Sequence, residues 1–292
     1  MKSPVPRVAA IHDLSGFGRA SLTVIIPILS TMGIQVCPLP TAVLSSHTGG
    51  FENYRLVDLT GNMEDFMNHW RSMGLRFDAI YSGFLGSSHQ IDIVGGFIDS
   101  FAEADQLVLV DPVMGDNGKA YGPVNVEQID GMRRLVKKAH AITPNFTEAC
   151  FLLDRDYSAR IEPRELRDWL VRLSDRGPEI VVITSVPLNP ERGASTVMAY
   201  NRTDGRFWKV DCTYIPAYYP GTGDAFASVI LGSLLQGDSL PIALDRAVQF
   251  TTLAVKASFG YDLPRREGVL LERVLGHLKA PLASITYEIV EW

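Results

Sequence analysis

The sequence contains no run of basic residues. Its 27 Lys and Arg are interspersed with 33 Asp and Glu, and the formal charge is −6. A nucleic-acid surface needs clustered cations to displace condensed counterions, so no nucleic-acid partner is expected. Cysteine is scarce. Cys37, Cys150 and Cys212 lie far apart, without the CxxC or Cys/His spacing of a zinc site. They read as buried thiols in a reducing compartment, which points to a cytoplasmic location. Long hydrophobic runs are also missing. The most apolar stretch, Val24 to Leu29, is broken by Pro27 and followed by Ser30, Thr31 and Gly33. It is too short and too interrupted to span a bilayer, and the N-terminus lacks the apolar core of a signal peptide. With no internal repeat, low-complexity tract or linker, a single domain over residues 1–292 is expected.

What is present is an alternation of short apolar runs with amphipathic stretches. Val8 to Ile11, Ile34 to Cys37, Ala79 to Tyr81, Leu107 to Val110, Ala141 to Thr143 and Ile180 to Thr184 are nearly continuous apolar runs. Such runs suit strands buried on both faces. Helical stretches are predicted at Ser21 to Met32, Met63 to Met73, His89 to Ala104, Asn125 to Lys138, Thr147 to Leu153 and Pro163 to Asp175. Thr196 to Tyr200 and Arg206 to Cys212 read as a hairpin, and Asp224 to Leu235 and Leu240 to Phe259 as long helices. Strand-helix alternation implies a mostly parallel sheet covered on both sides. Ligands of such sheets bind beyond the carboxyl ends of the strands. Polar residues that follow strands are therefore the candidates: His12 and Asp13, Asp111, Thr143 to Asn145, and Thr184 with Ser185.

Four segments carry possible chemistry. In Gly221-Thr222-Gly223-Asp224, two glycines allow close backbone approach to a ligand, and the helix behind them presents free N–H groups to an anion. Asp224 stands where it could take a proton from an attacking hydroxyl. The competing reading is a glycine turn with an acidic residue at a helix start. In Thr143-Pro144-Asn145-Phe146-Thr147-Glu148, Asn145 and Glu148 have capping-box spacing. A site beside hydrated Mg²⁺ is the alternative. Asp111 ends an apolar strand before Pro112, where an unpaired buried carboxylate calls for a cation or a donor; a solvated turn is equally compatible. Thr41 to Gly50 is rich in hydroxyls and holds His47; by itself it reads as a polar loop.

Taken in order, SSHTGG, SGFLGS, VDPVMGD, ITPNFTE, VVITS and GTGDAF follow the layout of the ribokinase-like superfamily. SHTGG and SGFLGS, with DPVMGD and ITPNFTE, resemble the pyridoxal kinases more specifically, and the resemblance runs from about Val8 to about Ala257. It implies a three-layer α/β/α sandwich, a homodimer, and transfer of the ATP γ-phosphate to the 5′-hydroxymethyl group of pyridoxal, pyridoxine or pyridoxamine. It also implies Mg²⁺, and a monovalent cation such as K⁺, as cofactors. Carried over by position, Asp224 is the catalytic base and Gly221, Thr222 and Gly223 form the anion hole. Asp111, Asn145 and Glu148 surround metal and phosphates, and Thr184 and Ser185 line the nucleotide side. His47, Thr48 and Phe84 match vitamer-pocket positions, and Tyr121 matches a loop over the site. Asp13 departs from the pattern, since a serine usually stands there to meet the ring. Competing functions are a hydroxymethylpyrimidine or sugar kinase of the same superfamily, and a non-catalytic binder that kept the fold.

Overall fold

The computed structural model describes residues 4–104, 106–122, 124–188, 195–213, 215–282 and 284–292. The chain divides into two compact units. The first comprises residues 1–83, 103–106 and 215–285, and the second residues 84–102, 107–214 and 286–292.

The first unit is built on β1 (Arg7–Ser15), β2 (Gln35–Leu44), β3 (Leu56–Asp58) and β4 (Ala79–Ser82). Their order is β4-β1-β2-β3; β1 runs parallel to β4 and β2, and β3 is antiparallel to β2. Val8, Ala9, Ala10 and Ile11 are fully buried, as a continuous apolar run predicts for a central strand. Helices α1 (Leu22–Thr31) and α2 (Thr60–Ser72) pack on β1 and β2. The strand predicted over Val8 to Ile11 is corrected here, because β1 continues as far as Ser15 and so includes His12 and Asp13. His12 pairs with Pro40 but Leu14 with Val43, so Asp13 sits at a register shift opposite Thr41 and Ala42. Such irregularities re-aim a side chain at the end of a strand.

The second unit holds α3 (Ser88–Phe101), β5 (Leu107–Val110), β6 (Gly115–Asp116), β7 (Lys119–Ala120), α4 (Val126–Leu135), β8 (Ala141–Ile142), α5 (Phe146–Leu153) and α6 (Pro163–Ser174). It continues with β9 (Ile180–Val186), β10 (Ser195–Asn201) and β11 (Arg206–Cys212). Strands β5, β8 and β9 are parallel neighbours, while β10 and β11 form the predicted antiparallel hairpin beside β9. Asn117 and Gly118, both at positive φ, make the tight turn between β6 and β7. Helices α4 and α5 open with capping boxes at Asn125/Gln128 and Asn145/Glu148.

Helices α7 (Thr222–Leu235) and α8 (Leu240–Phe259) return the chain to the first unit, where they pack on each other and α7 packs on α1. Three short 3-10 turns follow, between Arg265 and Lys279. The last strand, β12 (Glu288–Val290), pairs with β11 in the second unit. Among the described residues no helix is long and apolar enough to cross a membrane.

Candidate active site

In the first unit, the GTGD segment occupies the start of α7. Gly221 is its N-cap at φ 79°, and a β-carbon there would lie 2.2 Å from the Arg19 carbonyl oxygen. The first glycine is thus required by the backbone turn it packs against. Gly223 is different: a β-carbon there would meet nothing within 4 Å. Its exposed backbone, with the first-turn N–H groups of α7, is the part of the loop open to an anion. Thr222 spends its hydroxyl on the Tyr219 carbonyl at 3.0 Å.

Asp224 Oδ2 accepts the Ser21 backbone N–H at 2.8 Å. Burial, reinforced by the nearby charge of Asp13, pushes its carboxyl from 3.8 up to about 7, while the Ser21 hydrogen bond opposes the shift. A carboxylate poised near neutrality is matched to general-base work. Asp13 is 8% exposed and accepts hydrogen bonds from the hydroxyls of Ser21, at 2.5 Å, and Ser15, at 3.2 Å. Burial raises its pKa, against the pull of these two hydroxyls and of His47. The Gly16 N–H, a conceivable partner for Asp13 in a simple loop cap, instead donates to the Leu44 carbonyl at 2.8 Å.

His47 is buried, and both its ring nitrogens are engaged. Nδ1 accepts the Gly49 N–H at 3.0 Å, so the proton resides on Nε2, which donates to the Arg266 carbonyl at 2.7 Å. Burial depresses its pKa and favours the neutral ring. Its edge packs on Phe51, over which the Arg266 guanidinium lies at 5.0 Å from the ring centroid. His47 can offer a ligand its carbon faces only, while Thr48, next to it, is exposed. The turn Arg265–Glu267 was invisible to motif reading. It fastens the His47 loop and also receives the Arg19 N–H at the Glu267 carbonyl, 3.0 Å away.

The remaining candidates gather in the second unit. Asp111, 5% exposed at the end of β5, accepts the Thr143 hydroxyl at 3.0 Å. Glu148, 3% exposed, takes the Met114 N–H on Oε1 at 3.0 Å and the Asn145 N–H on Oε2 at 2.8 Å. Burial and the charge of Asp111 raise the Glu148 pKa well above the carboxylate range. Asn145 accepts the Glu148 N–H and donates its own amide to the Gly115 carbonyl at 2.8 Å. The capping box is therefore formed, and Asn145 is occupied at both amide atoms. Thr184 bridges to Asn145, and its N–H bonds the Pro144 carbonyl at 3.0 Å. Exposed Ser185 follows at φ 56°. Tyr121, half-buried, leaves the β6–β7 hairpin with its N–H on the Met114 carbonyl at 2.9 Å. That hairpin is pinned by the Gly118 N–H on the Thr147 hydroxyl, 2.9 Å away. Phe84, half-buried, stands at the start of the unit.

The structure thus brings Asp13, His47 and the GTGD segment into one unit, and Asp111, Asn145, Glu148 and Thr184 together in the other. Sequence reading missed Ser21, whose role rests on contacts eight and 203 positions away. It also missed the β6–β7 hairpin, although Asn117-Gly118 is a strong turn signal. Among the described residues no group of three or more His, Cys, Asp or Glu side chains is arranged to hold a metal directly.

Comparison with known proteins gives a consistent set of relatives. The family model described as phosphomethylpyrimidine kinase matches residues 26–266. A candidate phosphomethylpyrimidine kinase from Bacteroides thetaiotaomicron, crystallised in an orthorhombic form with pyridoxal, is 53% identical. It superimposes with a TM-score of 0.95 over 98% of this chain and 100% of that one. Pyridoxal kinase from Lactobacillus plantarum is 30% identical, with a TM-score of 0.86 over 95% of this chain and 98% of that one. The curated pyridoxal kinase PdxY of Rubrobacter xylanophilus is 27% identical over 246 residues, 81% of this chain and 82% of its own. The fold expected from the sequence, ribokinase-like α/β, is the one these structures share.

Proposed function

Because the chain belongs to the phosphomethylpyrimidine kinase family, we propose that it is an ATP-dependent kinase that phosphorylates the 5′-hydroxymethyl group of pyridoxal, with pyridoxine and pyridoxamine as further substrates. The observation that carries this reading is Asp224, a carboxyl pushed to about 7 and held by the Ser21 N–H at the start of α7. The pyridoxal-containing relative, at 53% identity, supports the substrate.

Phosphoryl transfer asks a protein mainly to position reactants and stabilise charge. In the proposed reaction Asp224 accepts the proton of the 5′-hydroxyl as the hydroxyl oxygen attacks the γ-phosphorus, and the bond from that phosphorus to the β,γ-bridging oxygen breaks to release ADP. The N–H groups around Gly223 and Thr222, with the positive end of the α7 dipole, hold the charge that develops on the transferred group. Asp13 meets the ring, while Thr48, Phe84, Tyr121 and the faces of His47 bound the vitamer. Thr184, Ser185 and Asp111 serve the nucleotide.

A magnesium ion fits the second-unit group in one specific sense. Asp111 and Glu148 are two buried carboxylates that raise the cost of each other's charge, and a cation relieves that repulsion. The Glu148 oxygens already receive backbone N–H groups, so the ion would be held through its water shell by Asp111 and Glu148, with Asn145 fixing the turn. When bound, it would supply neutralisation of phosphate charge.

The proposal extends to a homodimer and a cytoplasmic location. All three residues of β3, the end strand of its sheet, are exposed, with Leu56 at 53% and Val57 at 59%. An apolar end strand of this kind is a liability unless covered, and a second copy would cover it; light scattering would read the mass. Cys37, Cys150 and Cys212 are free thiols.

The test is a coupled assay of the purified protein with ATP, Mg²⁺ and pyridoxal, pyridoxine, pyridoxamine or hydroxymethylpyrimidine, in K⁺ and in Na⁺ buffers. Preferred turnover of pyridoxal supports the reading. Exclusive turnover of hydroxymethylpyrimidine would replace it with the competing reading, a hydroxymethylpyrimidine kinase of the same superfamily. No phosphorylation of any acceptor would leave a binder.

A further inference from the structure

Ser21 occupies the N-cap position of α1, where a serine normally turns its oxygen to the N–H groups of its own helix. Here it makes no such bond. Its hydroxyl points instead to Asp13 Oδ1, at 2.5 Å, and its N–H to Asp224 Oδ2, at 2.8 Å. To do both it adopts φ 52°, ψ −132°, a conformation natural to glycine and strained for any residue with a β-carbon. Strain of this kind persists only where the surroundings fix it. They do so here. The Arg19 N–H is tied to the Glu267 carbonyl at 3.0 Å, and the Arg19 guanidinium is paired with Glu272 at 3.0 Å. The Arg19 carbonyl is enclosed by Gly221 and Gly268, where β-carbons would approach within 2.2 and 2.7 Å. The Thr23 hydroxyl, which accepts the Ala20 N–H, takes over capping of the turn. Glycine would fit position 21 with less strain, so what the serine adds is its hydroxyl, and that hydroxyl reaches Asp13.

We propose that Ser21 is a positioning residue of the kinase reaction, joining ring recognition to base catalysis by holding Asp13 through its hydroxyl and Asp224 through its N–H. The proposal rests on the vitamer-kinase reading above. A donated hydroxyl proton favours the ionised form of Asp13. The other groups bearing on that carboxylate are the Ser15 hydroxyl, His47 and Asp224. Without Ser21 Oγ the longer Ser15 bond, at 3.2 Å, is the side-chain donor that remains among the described residues. Asp13 should then ionise less readily and hold the ring less firmly. Asp224 would keep its partner, since the N–H at position 21 is retained.

The experiment compares Ser21→Gly and Ser21→Ala with the wild type. Ser21→Gly removes hydroxyl and strain together, whereas Ser21→Ala removes only the hydroxyl. Both should raise KM for pyridoxal about ten- to hundredfold, the scale of a lost hydrogen bond to a charged group. KM for ATP should stay level and kcat should fall no more than a few-fold. The pH at which the pyridoxal KM changes should move upward, because the charged form of Asp13 has lost a donor. Ser21→Gly should also melt at a higher temperature than Ser21→Ala, and no lower than the wild type. A purely structural serine would give the reverse: a lower melting temperature for Ser21→Gly, with unchanged pyridoxal KM and pH profile. That result, or a collapse of kcat at constant KM, overturns the proposal while wild-type turnover leaves the kinase reading standing. Failure of the wild type to phosphorylate any vitamer removes that reading, and the Ser21 role with it.

Discussion

Replacing Asp224 with Asn should give a protein that is more stable at alkaline pH and nearly inactive. Asn keeps an oxygen able to accept the Ser21 N–H, which lies 2.8 Å from Oδ2, but it cannot take a proton. In the wild type, burial and the charge of Asp13 push this carboxyl from 3.8 to about 7. Between those values the folded chain holds a proton that the unfolded chain releases. The stability associated with this group is therefore intact below the unfolded value and declines as pH rises to about 7. A rise from 3.8 to about 7 corresponds to about 4 kcal/mol at most. The group is partly open to solvent, and screening reduces the effect to roughly 1–3 kcal/mol. Asp224→Asn escapes this penalty, so its melting temperature should gain on the wild type from pH 4 to pH 8. Activity should move oppositely. With a pKa of about 7, the wild-type base is ionised in about a tenth of molecules at pH 6 and about nine-tenths at pH 8. Wild-type kcat/KM should rise by that ratio, roughly tenfold, whereas the variant should lose about 10²–10⁴ in kcat and show a flat profile. Parallel calorimetry and initial-rate assays across this range decide the matter. Near-normal turnover, or a melting difference that ignores pH, would refute the assignment of Asp224 as base.

Three further outcomes are expected. Glu148→Gln places an amide NH₂ against one of the two N–H donors now satisfied by the carboxylate, so thermal stability should drop by about 1–3 kcal/mol. The Mg²⁺ concentration for half activity should rise as well, and an unchanged melt beside an unchanged metal titration would contradict both roles. Gly221→Ala should destabilise the fold, because its β-carbon would meet the Arg19 carbonyl at 2.2 Å, whereas Gly223→Ala, with open space around it, should melt normally yet lose at least about tenfold in kcat by crowding the anion loop. Equal behaviour of the two glycine variants in melting and turnover would count against this division of labour. Asp13→Ser should change KM for pyridoxal, pyridoxine and pyridoxamine unequally and leave KM for ATP level; equal shifts for all three would show that Asp13 does not touch the ring.

The elements legible in the sequence were those whose burial is recorded in a continuous pattern. Leu107–Val110 and Leu240–Phe259 coincide with the predicted strand and helix, because their apolar residues are dictated by the neighbours they pack against. The strands Leu56–Asp58 and Glu288–Val290 left little trace, since each is three residues long and largely exposed. The site was legible in the same uneven way. GTGD and the Asn145/Glu148 pair are local motifs whose geometry follows from their spacing. The division of roles between Gly221 and Gly223 was not readable, because it depends on the Arg19 carbonyl, which is distant in sequence. Nor was Ser21, an ordinary helix-cap residue by type, whose hydroxyl and N–H are both directed elsewhere.

The fastening of His47 and Arg19 by the Arg265–Glu267 turn bears on how the protein is made. The carbonyls that receive His47 Nε2 and the Arg19 guanidinium lie 219 and 248 positions downstream of those residues. At roughly 5–20 residues per second, a ribosome needs on the order of 10–50 s to add that much chain. For that interval the first strand and the histidine loop exist without the segment that fixes them. Binding competence therefore waits for the Arg265–Glu267 turn rather than accumulating along the chain. A nascent chain arrested after α8 would have β1 to β11 and the helices as far as Phe259 encoded, with β12 outstanding among the described strands, yet the loop bearing His47 would still lack its clasp.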